Sequence, residues 1–449
     1  MSFIADKQTL EDLNLLGRFK ANAVFGIFNR VKTAGGERLL EAMFREPLTN
    51  YTDINKRSGL FHYFGTPDLS FPFEKEPFQV AEQYLSGAAA GNYFAIVTGL
   101  LRKKAAAALL RDEQLGQLRD GVLQTIEVLN KFKRFIDSLP VHELHLFAPI
   151  SKEVKLILAD ERLRWLFMAE NKKELTLLQL ARYDYVLRSA MQPQMNKLLE
   201  VIYQLDVYIA VGNVARQRDF VYARALPKEK HIMNVSGLRH SGLENGVGNT
   251  LLLDKAQNML FLTGANMSGK STFMKSFGIA VYLAHMGFPV AAKEMVFSVC
   301  DGLYSSINVA DNLPMGYSHF YAEVLRVKTV AKEVSGGKNL VVIFDELFKG
   351  TNVKDAYDAT LAITASFAAY RNCRFIISTH IVEVGEALGE RGNNVQFAYM
   401  PTIMEGSVPK YPYTLTPGIT ADRHGMMIIR NEKILELLGR PAHGHSEKI

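Results

Sequence analysis

One stretch limits what this chain can fold into more than any other: Gly264-Ala-Asn-Met-Ser-Gly-Lys-Ser-Thr272, which satisfies the pattern G-x-x-x-x-G-K-[ST]. The apolar run Met259 to Leu262 ahead of it reads as a strand buried on both faces, and Thr272 to Leu283 behind it reads as a helix. The glycines let successive backbone N–H groups turn inward around a phosphate, and the helix N-terminus adds the positive end of its dipole. The cradle consists of Gly264, Ala265, Asn266, Met267, Ser268, Gly269, Lys270, Ser271 and Thr272. In it Lys270 would reach the β- and γ-phosphates and the Ser271 hydroxyl would hold Mg²⁺. With glycine at roughly 7% of residues, chance produces such a match in about one or two chains per hundred of this length. The flanking strand and helix lower that figure, so the stretch reads as a nucleotide site.

Around this stretch, 449 residues leave room for two or more domains with large cores. The hydrophobic and charged fractions, 48% and 22%, are those of an ordinary soluble protein, and a net charge of +6 is a mild basic bias compatible with nucleic acid. Cys300 and Cys373 are too few for a disulfide framework or a zinc site, which points to a reducing, cytoplasmic setting. The opening MSFIADKQTLEDL carries charges early and lacks the apolar core of a signal peptide. The uncharged run Tyr84 to Leu101 reaches membrane-spanning length, but it contains Ser86, Gly87, Gly91, Asn92, Thr98 and Gly99. It is expected to be a buried helical segment, with no stable membrane association.

The first two hundred residues read as helix after helix. Val24, Ile27, Phe28 and Val31 sit at helical spacing until Thr33-Ala-Gly-Gly36 breaks the pattern, and a second helix covers Glu37 to Phe44. Longer stripes run from Leu115 to Ile136 and from Met195 to Ile209, and read as core faces of an elongated helical domain. Lys131, Lys133, Arg134, Lys152 and Lys155 beside them read first as a solvated face and second as a nucleic-acid surface. Near residue 216 the texture changes. Phe220 to Leu226 reads as a strand, and short apolar strands then alternate with amphipathic helices, as in a mostly parallel sheet covered on both faces. The expected division is therefore 1–215, helical, and 216–449, α/β.

Val341 to Phe344 reads as a buried strand ending in Asp345-Glu346, and Phe375 to Ser378 as the next, ending in Thr379-His380. Ligands of such sheets sit at the carboxyl ends of the strands, where these residues and the Gly264 loop all fall. Asp345 would complete the Mg²⁺ site that Ser271 begins. Glu346 would orient and deprotonate the attacking water, and His380 would bond the γ-phosphate or that water. An Asp-Glu at a strand end could also be a helix cap, and a lone histidine could be structural.

These residues carry a resemblance. Gly264 to Thr272 resembles the phosphate loop of the MutS family of DNA mismatch-repair ATPases, with Asn-Met before its second glycine. Asp345-Glu-Leu-Phe-Lys-Gly-Thr351 is similar to that family's Walker B segment, Ser378-Thr-His380 to its histidine loop, and Asp311 to Glu323 to its signature segment. Arg239-His240, Val247-Gly-Asn249, Tyr413-Thr-Leu and Pro417-Gly418 resemble the entry and final strands of its ATPase domain. Thr9-Leu10, Leu13-Asn-Leu15 and Thr33 to Gly36 resemble the start of its core domain. The resemblance implies a helical core-and-lever domain followed by an ABC-type P-loop ATPase domain. It further implies ATP and Mg²⁺ as cofactors, Lys270, Glu346 and His380 as catalytic groups, and a homodimer in which Ser318 reaches the partner's nucleotide. DNA is the implied partner, in mismatch repair or a related pathway; a ribosome- or RNA-associated ATPase is the alternative.

The departures from the family pattern are Ala265 for proline, Tyr317 for arginine, and Phe348-Lys349 for Gly-Arg. None removes a catalytic group. The chain opens at the core-domain pattern, so the mismatch-reading domain is not expected, and helices from 76 to 215 leave little room for a β-rich clamp. No nuclease module is expected in the tail. No adenine-stacking aromatic stands out upstream of the loop.

Overall fold

The computed structural model of the chain describes residues 2–17, 23–65, 69–87, 91–110, 114–142, 145–168, 174–307, 319–390, 392, 394–405 and 408–420, with 433 and 437. Packing divides the chain into two units: Gly26–Arg45 with Lys56–Gln217, and Met1–Phe25 with Glu46–Asn55 and Arg218–Ile449. The break expected at 215/216 falls beside one passage between units, at 217/218. Three more passages occur earlier, at 25/26, 45/46 and 55/56.

In the unit with Arg218–Ile449, seven strands form the main sheet: β1 (Ile4–Ala5), β2 (Met259–Gly264), β3 (Gly302–Ser306), β4 (Leu340–Asp345), β5 (Arg374–Ser378), β6 (Val395–Met400) and β7 (Thr416–Pro417). Their order is β1-β3-β4-β5-β2-β6-β7, parallel throughout except for β7 against β6. The apolar runs are continuous because both faces are covered. Val342, Phe344, Phe375, Ile377 and Phe261 pack under the helices His319–Ser335, Val353–Ala368 and Val382–Gly389. On the other face, Ile343 and Leu13 close on Gly278 of the helix Lys270–His285, where an added Cβ would come 2.8 Å from Leu13 Cδ2.

The N-terminal segment joins this unit through polar contacts that leave no periodic trace in the sequence. Ile4 pairs with Gly302, where an added Cβ would fall 2.6 Å from the Ile4 carbonyl. Asp6 caps the helix Lys7–Asp12 through Thr9 N–H at 3.0 Å and pairs with Arg326. Asp12 Oδ2 accepts from Ser305 Oγ at 2.8 Å and from Ile307 N–H at 2.9 Å. Asn55 exchanges two bonds of 2.9 Å with the Ala225 backbone, and Leu48 N–H donates to His285 O at 2.8 Å.

Two expectations for residues 216–300 need correction. The strand expected over Phe220 to Leu226 is two short ones, Val221–Tyr222 and Arg224–Leu226, which turn to different partners, Pro289–Val290 and Glu294–Ser298. The latter belongs to a separate four-stranded sheet with Met233–Leu238 and Asn249–Leu253, so strands there follow one another without intervening α-helices.

The unit with Lys56–Gln217 is helical, and among the described residues no strand lies between Ala5 and Val221. The stripes become the helices Gln114–Ser138 and Gln192–Gln217. The latter is the one described helix long and apolar enough to cross a membrane, and 78% of its apolar window is buried in the protein. Thr33 to Gly36 does not break a helix but starts one, Ala34–Arg45, with Thr33 Oγ1 accepting from Gly36 N–H at 2.9 Å. The preceding helix stops at Phe28. The glycines serve close approach: an added Cβ would lie 2.3 Å from Tyr203 Cε1 at Gly35 and 2.6 Å from Asp206 Oδ2 at Gly36. The buried Asp206 carboxylate also accepts from the backbones of Lys32 and Thr33.

The run Tyr84 to Leu101 is not one buried segment. Extended Gly87 ends the helix Lys75–Ser86, and Asn92 Oδ1 accepts from Ala95 N–H as Tyr93–Leu110 begins. Phe94 is 80% exposed. Beside the stripes, Lys131 pairs with Glu127 and Lys133 with Asp137, each at 2.7 Å, and Lys155 lies 3.9 Å from Asp137.

Candidate nucleotide and metal site

Parallel register brings the candidate groups to one edge of the sheet. Asp345 stands beside Ser378, and Ser378 beside Leu262, two residues before Gly264. Gly264 leaves β2 at φ +137°, the chain turns through Ala265 O to Ser268 N–H at 3.3 Å, and Gly269 at φ +103° opens the helix Lys270–His285. Both glycines are required. An added Cβ would stand 2.8 Å from Met400 O at Gly264 and 2.9 Å from Tyr413 Cδ1 at Gly269, and the φ values favour no other residue. Met267, at φ +69°, bears its side chain outward, 74% exposed.

Lys270 is buried and folds back over the loop, donating from Nζ to Gly264 O at 2.7 Å and Ala265 O at 3.1 Å. Burial lowers its pKa, while the charges of Asp345 and Glu346 oppose the shift. Ser271 Oγ donates to Asp345 Oδ2 at 2.5 Å, and Ser378 Oγ bonds the other oxygen, Oδ1. Serine hydroxyl and carboxylate are the hard oxygen donors that Mg²⁺ takes.

Glu346 follows at φ +54°, with its N–H donating to Ser378 O at 3.0 Å. His380 Nε2 bonds its Oε1, and Lys349 Nζ lies 3.6 Å from its Oε2. The His380 bond is the chief cause that brings the Glu346 carboxyl down to about 2, against partial desolvation. The geometry thus gathers Lys270, Ser271, Asp345, Glu346 and His380. Ser318 and the preceding 308–317 lie outside the described residues.

A cleft of about 560 Å³ opens beside the loop, with Lys270, Ser271 and Glu346 at one end and His240, Val247 and Tyr413 among its other walls. Tyr413, downstream of the loop in sequence, brings an aromatic ring to this cleft. It comes from the far end of the domain, and Asn249 fixes it there: Nδ2 donates to Tyr413 O at 3.0 Å and Oδ1 accepts from Leu415 N–H at 2.6 Å. The available signals were Val247-Gly-Asn249 and Tyr413-Thr-Leu, two patterns that gain a joint meaning only when folded together.

The class defined here is an α/β fold whose loop, carboxylates and histidine share the carboxyl edge of a parallel sheet. Residues 260–443 match the family model of MutS domain V, and curated relatives of the MutS family align over as much as 86% of this chain. Among curated relatives, each called DNA mismatch repair protein MutS, that of Pseudothermotoga lettingae is 23% identical over 474 residues, covering 86% of this chain and 58% of its own length. The Petrotoga mobilis protein is 27% identical over 292 residues, 59% of this chain and 35% of its own. That of Leuconostoc mesenteroides is 30% identical over 220 residues, 48% of this chain and 25% of its own. This chain thus spans less than two thirds of each of these relatives.

Proposed function

We propose that this chain binds ATP with Mg²⁺ in the cleft beside Gly264–Ser271 and hydrolyses it to ADP. The observation that supports this most is the 2.5 Å bond between Ser271 Oγ and Asp345 Oδ2, which joins the helix after the loop to the end of β4. The fit of the absent groups rests on three features. Gly264 and Gly269 turn the loop at φ +137° and +103°, Ser268 Oγ is buried without a hydrogen-bond partner, and the donor pair suits a hard divalent ion. When bound, Mg²⁺ neutralises charge building on the phosphates. The chain's residues supply the rest. Lys270 exchanges its bonds to Gly264 and Ala265 for phosphate oxygens. Glu346 orients the attacking water and takes its proton at a carboxylate oxygen, with His380 fixing the other end of the carboxyl. Tyr413 offers its ring to the nucleobase.

The names of the relatives extend the reading to DNA as partner and to mismatch repair or a related pathway, and we add to it a homodimer formed through the ATPase domains. The test is hydrolysis with duplex, branched and mismatched DNA, with ribosomes and RNA in parallel. Stimulation by DNA that fades steeply with added salt is the expected result, because phosphate contacts release counterions. Stimulation by ribosomes or RNA alone would assign the ATPase to that partner instead. No nucleotide binding would end the reading.

A further inference from the structure

Glu346 sits in a loop that the next two residues, Leu347 and Phe348, fasten to two different helices. Leu347 and Phe348 point inward, 6% and 4% exposed, while Glu346 lines the cleft. Leu347 O accepts from Thr360 Oγ1 at 3.3 Å, which ties the loop to the helix Val353–Ala368. The Phe348 ring meets Phe320, in the first turn of the helix His319–Ser335, edge to face at 6.1 Å. Gly350 closes on the same residue, since an added Cβ there would stand 3.0 Å from Phe320 N.

Phe348 holds φ +61°, a conformation in which a side chain is strained and glycine is not. Glu346, two residues earlier, is also left-handed, at φ +54°. A phenylalanine persists at such a position when its surroundings over-determine it, and strained residues of this kind cluster where geometry matters for function. Here the surroundings are the core beneath the loop and the ring of Phe320. A glycine would give the same backbone path without strain and without the tether.

We infer that Phe348 is a positioning residue through which the first turn of the helix His319–Ser335 sets the place of the Glu346 carboxylate. The inference rests on the hydrolytic reading of Glu346 and adds a route by which another element governs it. A shift of Phe320 reaches Glu346 through two peptide units and leaves the Gly264 loop, where the nucleotide is held, untouched. The tether therefore acts on turnover and not on affinity.

The test compares Phe348→Gly, Phe348→Leu, Phe320→Leu and the double variant Phe348→Leu/Phe320→Leu in the full chain with Mg-ATP. ATP affinity is measured by calorimetry, turnover in a single-turnover assay, and folding by thermal unfolding. The expected result is a Kd within about twofold of the unmodified chain. Turnover falls by about tenfold or more in Phe348→Gly and less in Phe348→Leu, as expected for a misplaced catalytic group. The double variant should fall no further than the worse single one, because both cut one contact. Amide exchange at 346–350 should rise in Phe320→Leu, a readout independent of activity. Unchanged turnover in both Phe348 variants, an equal loss of affinity and turnover, or unchanged exchange overturns the inference and leaves the ATPase reading standing. An unmodified chain that neither binds nor hydrolyses ATP removes that reading and the inference with it.

Discussion

His380 Nε2 bonds Glu346 Oε1, so the residue just beyond the end of β4 is held by one just beyond the end of β5. Replacing Glu346 by alanine leaves the loop, Lys270 and Ser271 in place. ATP should still bind, while hydrolysis should slow by at least about a hundredfold, the usual reach of general-base chemistry. Calorimetry and a phosphate-release assay on the same preparation check this. Normal turnover would put the base elsewhere.

Lys270→Ala should act on the other quantity. Its ammonium group is buried within reach of the loop carbonyls and has no cationic substitute inside the loop. Bonds between a charged donor and phosphate are among the strong ones, so ATP affinity should fall by about a hundredfold or more. An unchanged Kd would detach the Gly264 loop from nucleotide binding.

His285 gives the fold a pH dependence of its own. It is wholly buried, with Nδ1 bonded to Val281 O at 2.8 Å and Nε2 accepting from Cys300 N–H at 3.0 Å. Burial carries its pKa from 6.5 down to about 4. The unfolded imidazole therefore takes up a proton at a higher pH than the folded one. Its contribution to stability is complete above pH 6.5 and drains away as the pH falls to about 4. The loss should be of the order of 3 kcal/mol. Urea unfolding across that window should show this slope in the unmodified chain and lose it in His285→Gln.

Two glycines should respond oppositely to alanine. At Gly35 the new methyl meets the Tyr203 ring at 2.3 Å, and overpacking of this kind costs about 1–3 kcal/mol. At Gly26, within the helix Val24–Phe28, no atom lies within 4 Å of the added methyl, and Gly26→Ala should stabilise by about 0.5–1 kcal/mol. Denaturant midpoints of the two variants settle both signs.

The legible parts of this molecule are those where one interaction shapes many consecutive residues. Burial on both faces makes Met259 to Leu262, Val341 to Phe344 and Phe375 to Ser378 unbroken apolar runs, and each is a strand. The loop between β2 and its helix is visible because two glycines must stand at fixed spacing. Contacts between single residues far apart leave no such pattern. Tyr413 reaches the cleft only because Asn249 holds its backbone, and the Glu346–His380 bond depends on the register of β4 against β5. In the sequence Gly35 and Gly36 look like a helix break because glycine marks both a turn and a close approach, and only Tyr203 and Asp206 distinguish them.

The pairing of Ile4 with Gly302 bears on how the chain is made. A ribosome releases the N-terminal strand and the helix Lys7–Asp12 long before β3, Ser305 and Arg326 exist to receive them, and such non-local pairing is intrinsically slow. Until then the segment has no partner, and once β3 forms it shows a bare edge that another chain could occupy. An expression fragment beginning at Arg218 would carry that bare edge permanently. Its aggregation would then reflect a missing first strand and would say nothing against the integrity of the sheet.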